Sequence, residues 1–234
     1  MTAGPVVFTG AGLRRGMRDS LPLLLALTPY GIVFGIVAHG EGLSLLEATL
    51  MSATVFGGSA QLVALGVWAH PAPVLGVMLA AFVVNLRTAL MGPILSPWFD
   101  RLKGWRLWLS LFLLVDNNWA MSLKDMNSGK RDAAYLVGIG ILLWLQWTTL
   151  TAIGHAMGEV LRPPPGHPIL FTALAVFVCM LAGMWRGLSD AMPWAIAAAV
   201  AVATSRLLPG TFWHIIAGAL AGSLAGAARD AARR

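Results

Sequence analysis

Two charged residues stand deep inside apolar runs. Arg87 lies within Val83-Val84-Asn85-Leu86-Arg87-Thr88, and Asp116 within Val115-Asp116-Asn117-Asn118-Trp119. An ionised side chain at the centre of a bilayer costs about 2.5–3.5 kcal/mol even on the lenient insertion scale, so such residues face a bundle interior or a wet cavity. The two charges are opposite and sit at similar depth on consecutive apolar segments. That pattern has two readings: a buried pair that fixes helix register, or part of a substrate site at the membrane midplane.

Two backbone interruptions fall at the same depth. Thr28-Pro29-Tyr30-Gly31 is centred in the first apolar run, where proline removes a helix hydrogen bond and frees a carbonyl of the preceding turn. This is either an ordinary kinked helix or an opened one. Phe56-Gly57-Gly58-Ser59-Ala60-Gln61 is centred in the second run. Paired glycines permit close helix packing, or they let a helix stop and restart. In the second case the amides of Ser59, Ala60 and Gln61 stand at a half-helix N-terminus, where the dipole suits an anionic group such as a carboxylate. Four consecutive runs thus carry their polar or broken element near the midpoint.

Other chemistry-bearing residues converge less. His39, His70, His155, His167 and His214 are scattered, with no HExxH and no GxSxG pattern, so no catalytic, metal or cofactor role is expected. Gln146, Thr148, Thr149 and Thr151 read as scaffold, because hydroxyls can bond their own helix backbone. The ten tryptophans, among them Trp98, Trp105, Trp108, Trp185, Trp194 and Trp213, read as interfacial anchors.

The elements that must position these residues are transmembrane helices. Of 234 residues, 58% are apolar and 11% charged, with a mean hydropathy of +0.75. A soluble domain carries about 25% charged residues, so a soluble enzyme is excluded. The net charge of +6 resides in short clusters such as Arg14, Arg15, Arg18 and Lys130, Arg131, a topology signal rather than a nucleic-acid surface. The single cysteine, Cys179, excludes an intrachain disulfide. Runs long enough to cross fall at about 21–39, 46–69, 72–97, 105–123, 133–159, 168–186, 191–205 and 211–228. The seventh is short: a tilted half-helix, a re-entrant segment, or a span completed by Leu207 and Leu208. The expected fold is all-α: a polytopic transmembrane bundle of about 7–8 spans with helices broken near the midplane. It forms one membrane transport domain over 1–234, polar-rich at 14–161, joined by a proline-rich connector at 162–168 to an apolar part at 169–228. Lys and Arg are more numerous in the connecting segments on the N-terminal side, which places the N-terminus in the cytoplasm.

Order and spacing across residues 14–97 resemble the AzlC-type branched-chain amino-acid permeases. Pro29-Tyr30-Gly31-Ile32 with Phe34-Gly35 resembles that family's PFGxxFG-like signature. Gly42-Leu43-Ser44 with Glu47-Ala48 and Phe56-Gly57-Gly58-Ser59-Ala60-Gln61 are similar to its GLSxxEA and FAGSAQ stretches, and Asn85-Leu86-Arg87 to its NLR motif. The chain departs at Tyr30 and Gly57, where Phe and Ala are usual, and at Asp116-Asn117, where Asp-Glu is usual. The resemblance implies a bacterial inner-membrane exporter of branched-chain amino acids such as leucine, valine and isoleucine, working with a small AzlD-type membrane subunit. A zwitterionic amino acid needs an anion-binding feature, a cation-binding feature and an apolar pocket. The restarted helix at Gly57, Gly58, Ser59 and Gln61, or Arg87, could take the carboxylate. Asp116, or carbonyls freed by Pro29, could take the ammonium. Tyr30 and Phe56 could line the aliphatic pocket, with Asn85, Gln61 and Asn117 orienting their neighbours. The alternatives are a permease for another small solute and a structural subunit whose path lies partly in a partner.

Overall fold

The computed structural model describes residues 5–66, 68, 74–161, 187–209 and 213–232, with isolated positions 175, 178, 182 and 185. Arg162 to Gly166, the sixth apolar run apart from those isolated positions, and the His70-Pro71-Ala72-Pro73 turn lie outside them. So does the side chain of Arg87, and with it the expected Arg87–Asp116 pair.

The described residues form helices and no strand beyond one isolated bridge. A short amphipathic helix, α1 (Gly10–Asp19), leads through Ser20 into α2 (Leu21–Gly40). A broken pair follows, α3 (Leu45–Val55) and α4 (Gly58–Leu65), then α5 (Val74–Met91) and the single turn α6 (Ser96–Phe99). A second broken pair, α7 (Trp105–Phe112) and α8 (Asp116–Asn127), precedes the long α9 (Ala134–Leu161). The chain closes with α10 (Ala191–Leu207) and α11 (Trp213–Ala232).

Small residues set the spine of this bundle. Gly31, Gly35, Gly154 and Gly158 lie where α2 and α9 touch: a Cβ on Gly154 would overlap the Ile32 carbonyl oxygen, and one on Gly35 the carbonyl oxygen of Thr151. Backbones brought this close gain dispersion contacts along the full helix length, the dominant attraction between helices in lipid. The pairs Gly31–Leu150, Gly35–Gly154 and His39–Gly158 advance together along both chains, so α2 and α9 run parallel. The chain between them must therefore return along the bundle an odd number of times. The N-terminal ends are tied by backbone bonds from Val7 N to Arg131 O (2.9 Å) and Ala133 N to Val7 O (3.0 Å). Asp132 accepts from the Thr9 amide and hydroxyl and from Ala134 N. Gly154→Ala inserts a methyl against rigid backbone and is expected to cost about 3 kcal/mol, the upper range for overpacking. Thermal unfolding in detergent and loss of the monodisperse elution peak would report it.

Among the described residues, three helices are long and apolar enough, by length and composition, to cross a membrane: Leu21–Gly40, Ala134–Leu161 and Leu188–Leu207. The last contains the short seventh run and carries it to Leu207, a length that suits a span. Pro29 lies within α2 without ending it. Trp105, Trp108 and Trp213 are exposed as anchors should be, but Trp98 is fully buried in the core.

At the basic end of the bundle, Arg15 donates to both oxygens of Asp125 (2.6 and 2.8 Å), and Lys130 Nζ lies 3.0 Å away. Burial pushes the Asp125 carboxyl up, but the hydrogen bonds from Arg15 and Lys130 outweigh it and hold its pKa below the ordinary carboxylate value. A depressed carboxylate pKa gives stability that is complete above the unfolded value of about 3.9 and drains away as pH falls through the folded one. The parent should therefore exceed Asp125→Asn in melting temperature by a constant margin from pH 7 to 5. That margin should shrink below about pH 4, as thermal scans at stepped pH would record.

Candidate functional site

Both broken helix pairs restart at the same place. In the first, Phe56 ends α3 in the left-handed conformation (φ 43°, ψ 46°), at about 1–2 kcal/mol for a residue with a Cβ. Gly57 turns the chain back (φ −147°, ψ 89°), and α4 begins at Gly58 with no side-chain cap. In the second, Leu113, Leu114 and Val115 are non-helical and α8 begins at Asp116. Asn118 splints this gap: its Oδ1 accepts from Val115 N (2.9 Å) and its Nδ2 donates to Leu113 O (2.6 Å).

The first-turn amides of α4 and α8 have no acceptor within their own helices by geometry alone, and each N-terminus carries about half a positive charge. Both ends open on one cavity of about 70 Å³, room for several waters at roughly 10–15 Å³ each. Gly57, Gly58 and Ser59 line one side, Val115, Asp116 and Asn117 another. The Asp116 carboxyl group stands on the first residue of α8. Tyr30, Phe56, Leu143 and Trp147 contribute apolar wall, with the Tyr30 and Trp147 rings 5.0 Å apart and Phe34 stacked behind Trp147 at 5.7 Å. The cavity thus joins amide donors, one carboxylate and aromatic surface.

A closed ring of hydrogen bonds holds the first break to α9. Trp147 Nε1 donates to Gln61 Oε1 (2.8 Å), and Gln61 Nε2 donates to Ser52 Oγ (3.0 Å). Thr151 Oγ1 gives its proton to the Trp147 carbonyl (2.9 Å), so across the 2.7 Å contact it is Ser52 Oγ that donates to Thr151 Oγ1. Ser52 stands on α3 and Gln61 on α4, so the ring fixes both halves against one helix. Gln146 Nε2 likewise donates to Leu24 O (2.5 Å) and Thr28 Oγ1 (3.0 Å) of α2 while bordering the cavity.

The residues read from the sequence fall into three groups. Tyr30, Phe56, Gly57, Gly58, Ser59, Asp116 and Asn117 meet at the cavity. Gln61 is wholly buried in the ring behind it, and Asn85 backs the break, its Oδ1 standing 3.1 Å from where a Cβ on Gly57 would lie. Pro29 is exposed and borders no part of the cavity. Trp147, Gln146 and Asn118 were not singled out for the site. A signal existed for Asn118, since Asp-Asn-Asn after an apolar run is a helix-start composition. His39 and His155 also meet, rings edge to face at 4.8 Å, with His155 Nε2 donating to Leu43 O (2.7 Å). They clamp the α2–α3 loop, away from the cavity. Among the described residues no cluster of His, Cys, Asp and Glu could hold a metal ion.

The fold and its site define a helical membrane protein with two half-helix N-termini converging on an internal cavity. The family profile described as AzlC protein matches residues 22–161, the stretch that holds every cavity-lining residue. The chain belongs to the AzlC family. It is 28% identical over 167 residues to the inner membrane protein YgaZ of Escherichia coli (strain K12), covering 70% of this chain and 67% of that one. An uncharacterized membrane protein of Archaeoglobus fulgidus is 27% identical over 179 residues (76% and 78%). One from Haemophilus influenzae is 24% identical over 167 (71% and 68%). No solved structure is significantly similar to it.

Proposed function

We propose that this protein is a secondary transporter that exports neutral branched-chain amino acids across the bacterial inner membrane. It acts as one transport domain over 1–234, without catalysis or cofactor, with its N-terminus in the cytoplasm and a small AzlD-type membrane subunit as partner. The observation that carries this reading is the convergence of the α4 and α8 N-termini on a cavity that also holds Asp116 and an aromatic wall. Backbone amides at the two helix ends suit the carboxylate of a zwitterion, the Asp116 carboxylate suits its ammonium, and Tyr30, Phe56 and Trp147 suit an aliphatic side chain. At about 70 Å³ the cavity is closed down. It is far below the roughly 300–1,000 Å³ of drug-sized pockets, so seating a leucine requires the wall to yield. Arg87 is the alternative partner for the carboxylate.

The test is efflux of labelled leucine from preloaded proteoliposomes, with and without a pH gradient and with glycine and lysine as comparison solutes. Leucine-selective flux supports the reading, and a response to the gradient makes the coupled ion a proton. Flux that appears only when an AzlD-type subunit is added moves the path to a shared interface. Equal flux of all three solutes favours a permease for other small solutes, and none in either case overturns amino-acid transport.

A further inference from the structure

A second cavity, of about 460 Å³, opens at the basic end of the bundle between α1, α8, the loop after it and the start of α9. Its lining includes Asp19, Met121, Lys124, Ser128 and Tyr135. Three lines of residues, spaced as on a helix, run from its lining to that of the solute cavity. On α8, Asn117 borders the solute cavity and Met121 this one; four residues separate them, about 6 Å of helix rise. On α9, Tyr135 borders the second cavity and Leu143 and Gln146 the first, with Ile139 between them on the same face by the 3–4 residue recurrence of a helix. On the α1–α2 side Asp19 borders the second and Leu27 and Tyr30 the first, with Leu23 as the step between.

We propose that the two cavities are successive stations of one solute route between α2, α8 and α9, closed in this structure by an apolar plug of Leu23 and Ile139. The proposal rests on the transport reading above. Ile139 is completely buried and Leu23 is half-buried against the same core, so the plug offers no polar partner to a solute. A zwitterion cannot enter it without shedding its hydration, and the plug therefore acts as a barrier until α2 and α9 separate locally. The outer station suits the same ligand class as the inner one. Asp19, which accepts from the Tyr135 hydroxyl at 3.2 Å, presents a carboxylate to an ammonium group. Lys124, which makes no ion pair among the described residues, presents a cation to a carboxylate. Asp125 is already committed to Arg15 and Lys130 and anchors the wall. By the excess of basic residues at this end, the station faces the cytoplasm.

The test uses the Cys179→Ser protein in proteoliposomes, with Met121→Cys or Ser128→Cys added singly and Val160→Cys as an exposed control away from the route. Leucine efflux is measured before and after complete modification by a bulky hydrophilic thiol reagent, with completeness read by mass spectrometry. The expected result is at least a tenfold loss of efflux at both vestibule positions, no loss at Val160→Cys, and slower vestibule labelling when leucine is present. Full modification at both vestibule positions with efflux within twofold of the unmodified protein overturns the route while leaving leucine transport standing. Absence of leucine flux from the unmodified Cys179→Ser protein, alone and with the partner subunit, overturns the transport reading, and the route falls with it.

Discussion

Asp116→Asn is expected to lower leucine flux at least about 30-fold at subsaturating substrate while leaving the protein folded. The substitution keeps the shape of the side chain and its place at the start of α8. What it removes is the charge that, in the proposed site, meets the ammonium group of the substrate. A hydrogen bond to a charged group contributes about 1.5–3 kcal/mol, and about 2 kcal/mol corresponds to a factor of about 30. The effect should appear as weaker apparent affinity for leucine, with an unchanged thermal transition. A variant that transports at the parental rate would remove Asp116 from the site.

Gly58→Val should abolish transport by a different route. A Cβ at Gly58 would stand 2.8 and 2.9 Å from Cη2 and Cζ2 of Trp147 and 2.9 Å from Cε1 of Tyr30. Both rings are buried, and Trp147 is held by its bond to Gln61, so neither can swing aside as a flexible chain end would. Branching at that Cβ fills the cavity between the two helix ends. Gly58→Ala, with one methyl, should cost about 1–3 kcal/mol of overpacking and leave partial flux. A graded loss from Gly through Ala to Val, with folding preserved in the Ala variant, separates an occluded site from a collapsed one.

Much of this arrangement was legible because membrane burial makes polarity informative. Asp116, Asn117 and the Phe56–Ser59 break stood out against apolar flanks, and all border the cavity. The break itself was one of two readings, because paired glycines also serve packing; the left-handed Phe56 is a property of the folded chain that no spacing announces. The interruption at 113–115 was hidden because Leu113, Leu114 and Val115 are as apolar as a helix interior. Only the splint from Asn118 makes a break affordable there. Trp147 and Thr151 were obscured by their types: tryptophan favours the membrane interface and threonine its own helix backbone, whereas here they complete a ring with Ser52 and Gln61. The parallel run of α2 and α9 depends on glycine contacts more than a hundred residues apart in sequence. Pro29 illustrates the converse, since α2 absorbs it without unwinding.

The most direct test of the central claim is equilibrium binding of labelled leucine to the purified protein in detergent, with Asp116→Asn and Gly58→Val measured alongside and each variant's thermal transition recorded. A binding site between the α4 and α8 N-termini predicts saturable leucine binding by the parent, displaced by valine and isoleucine but not by lysine. It predicts at least a tenfold loss of affinity in both variants, with the folding transition unchanged in Asp116→Asn and lowered but still cooperative in Gly58→Val. Parental affinity in either folded variant would contradict it and place the solute elsewhere in the bundle.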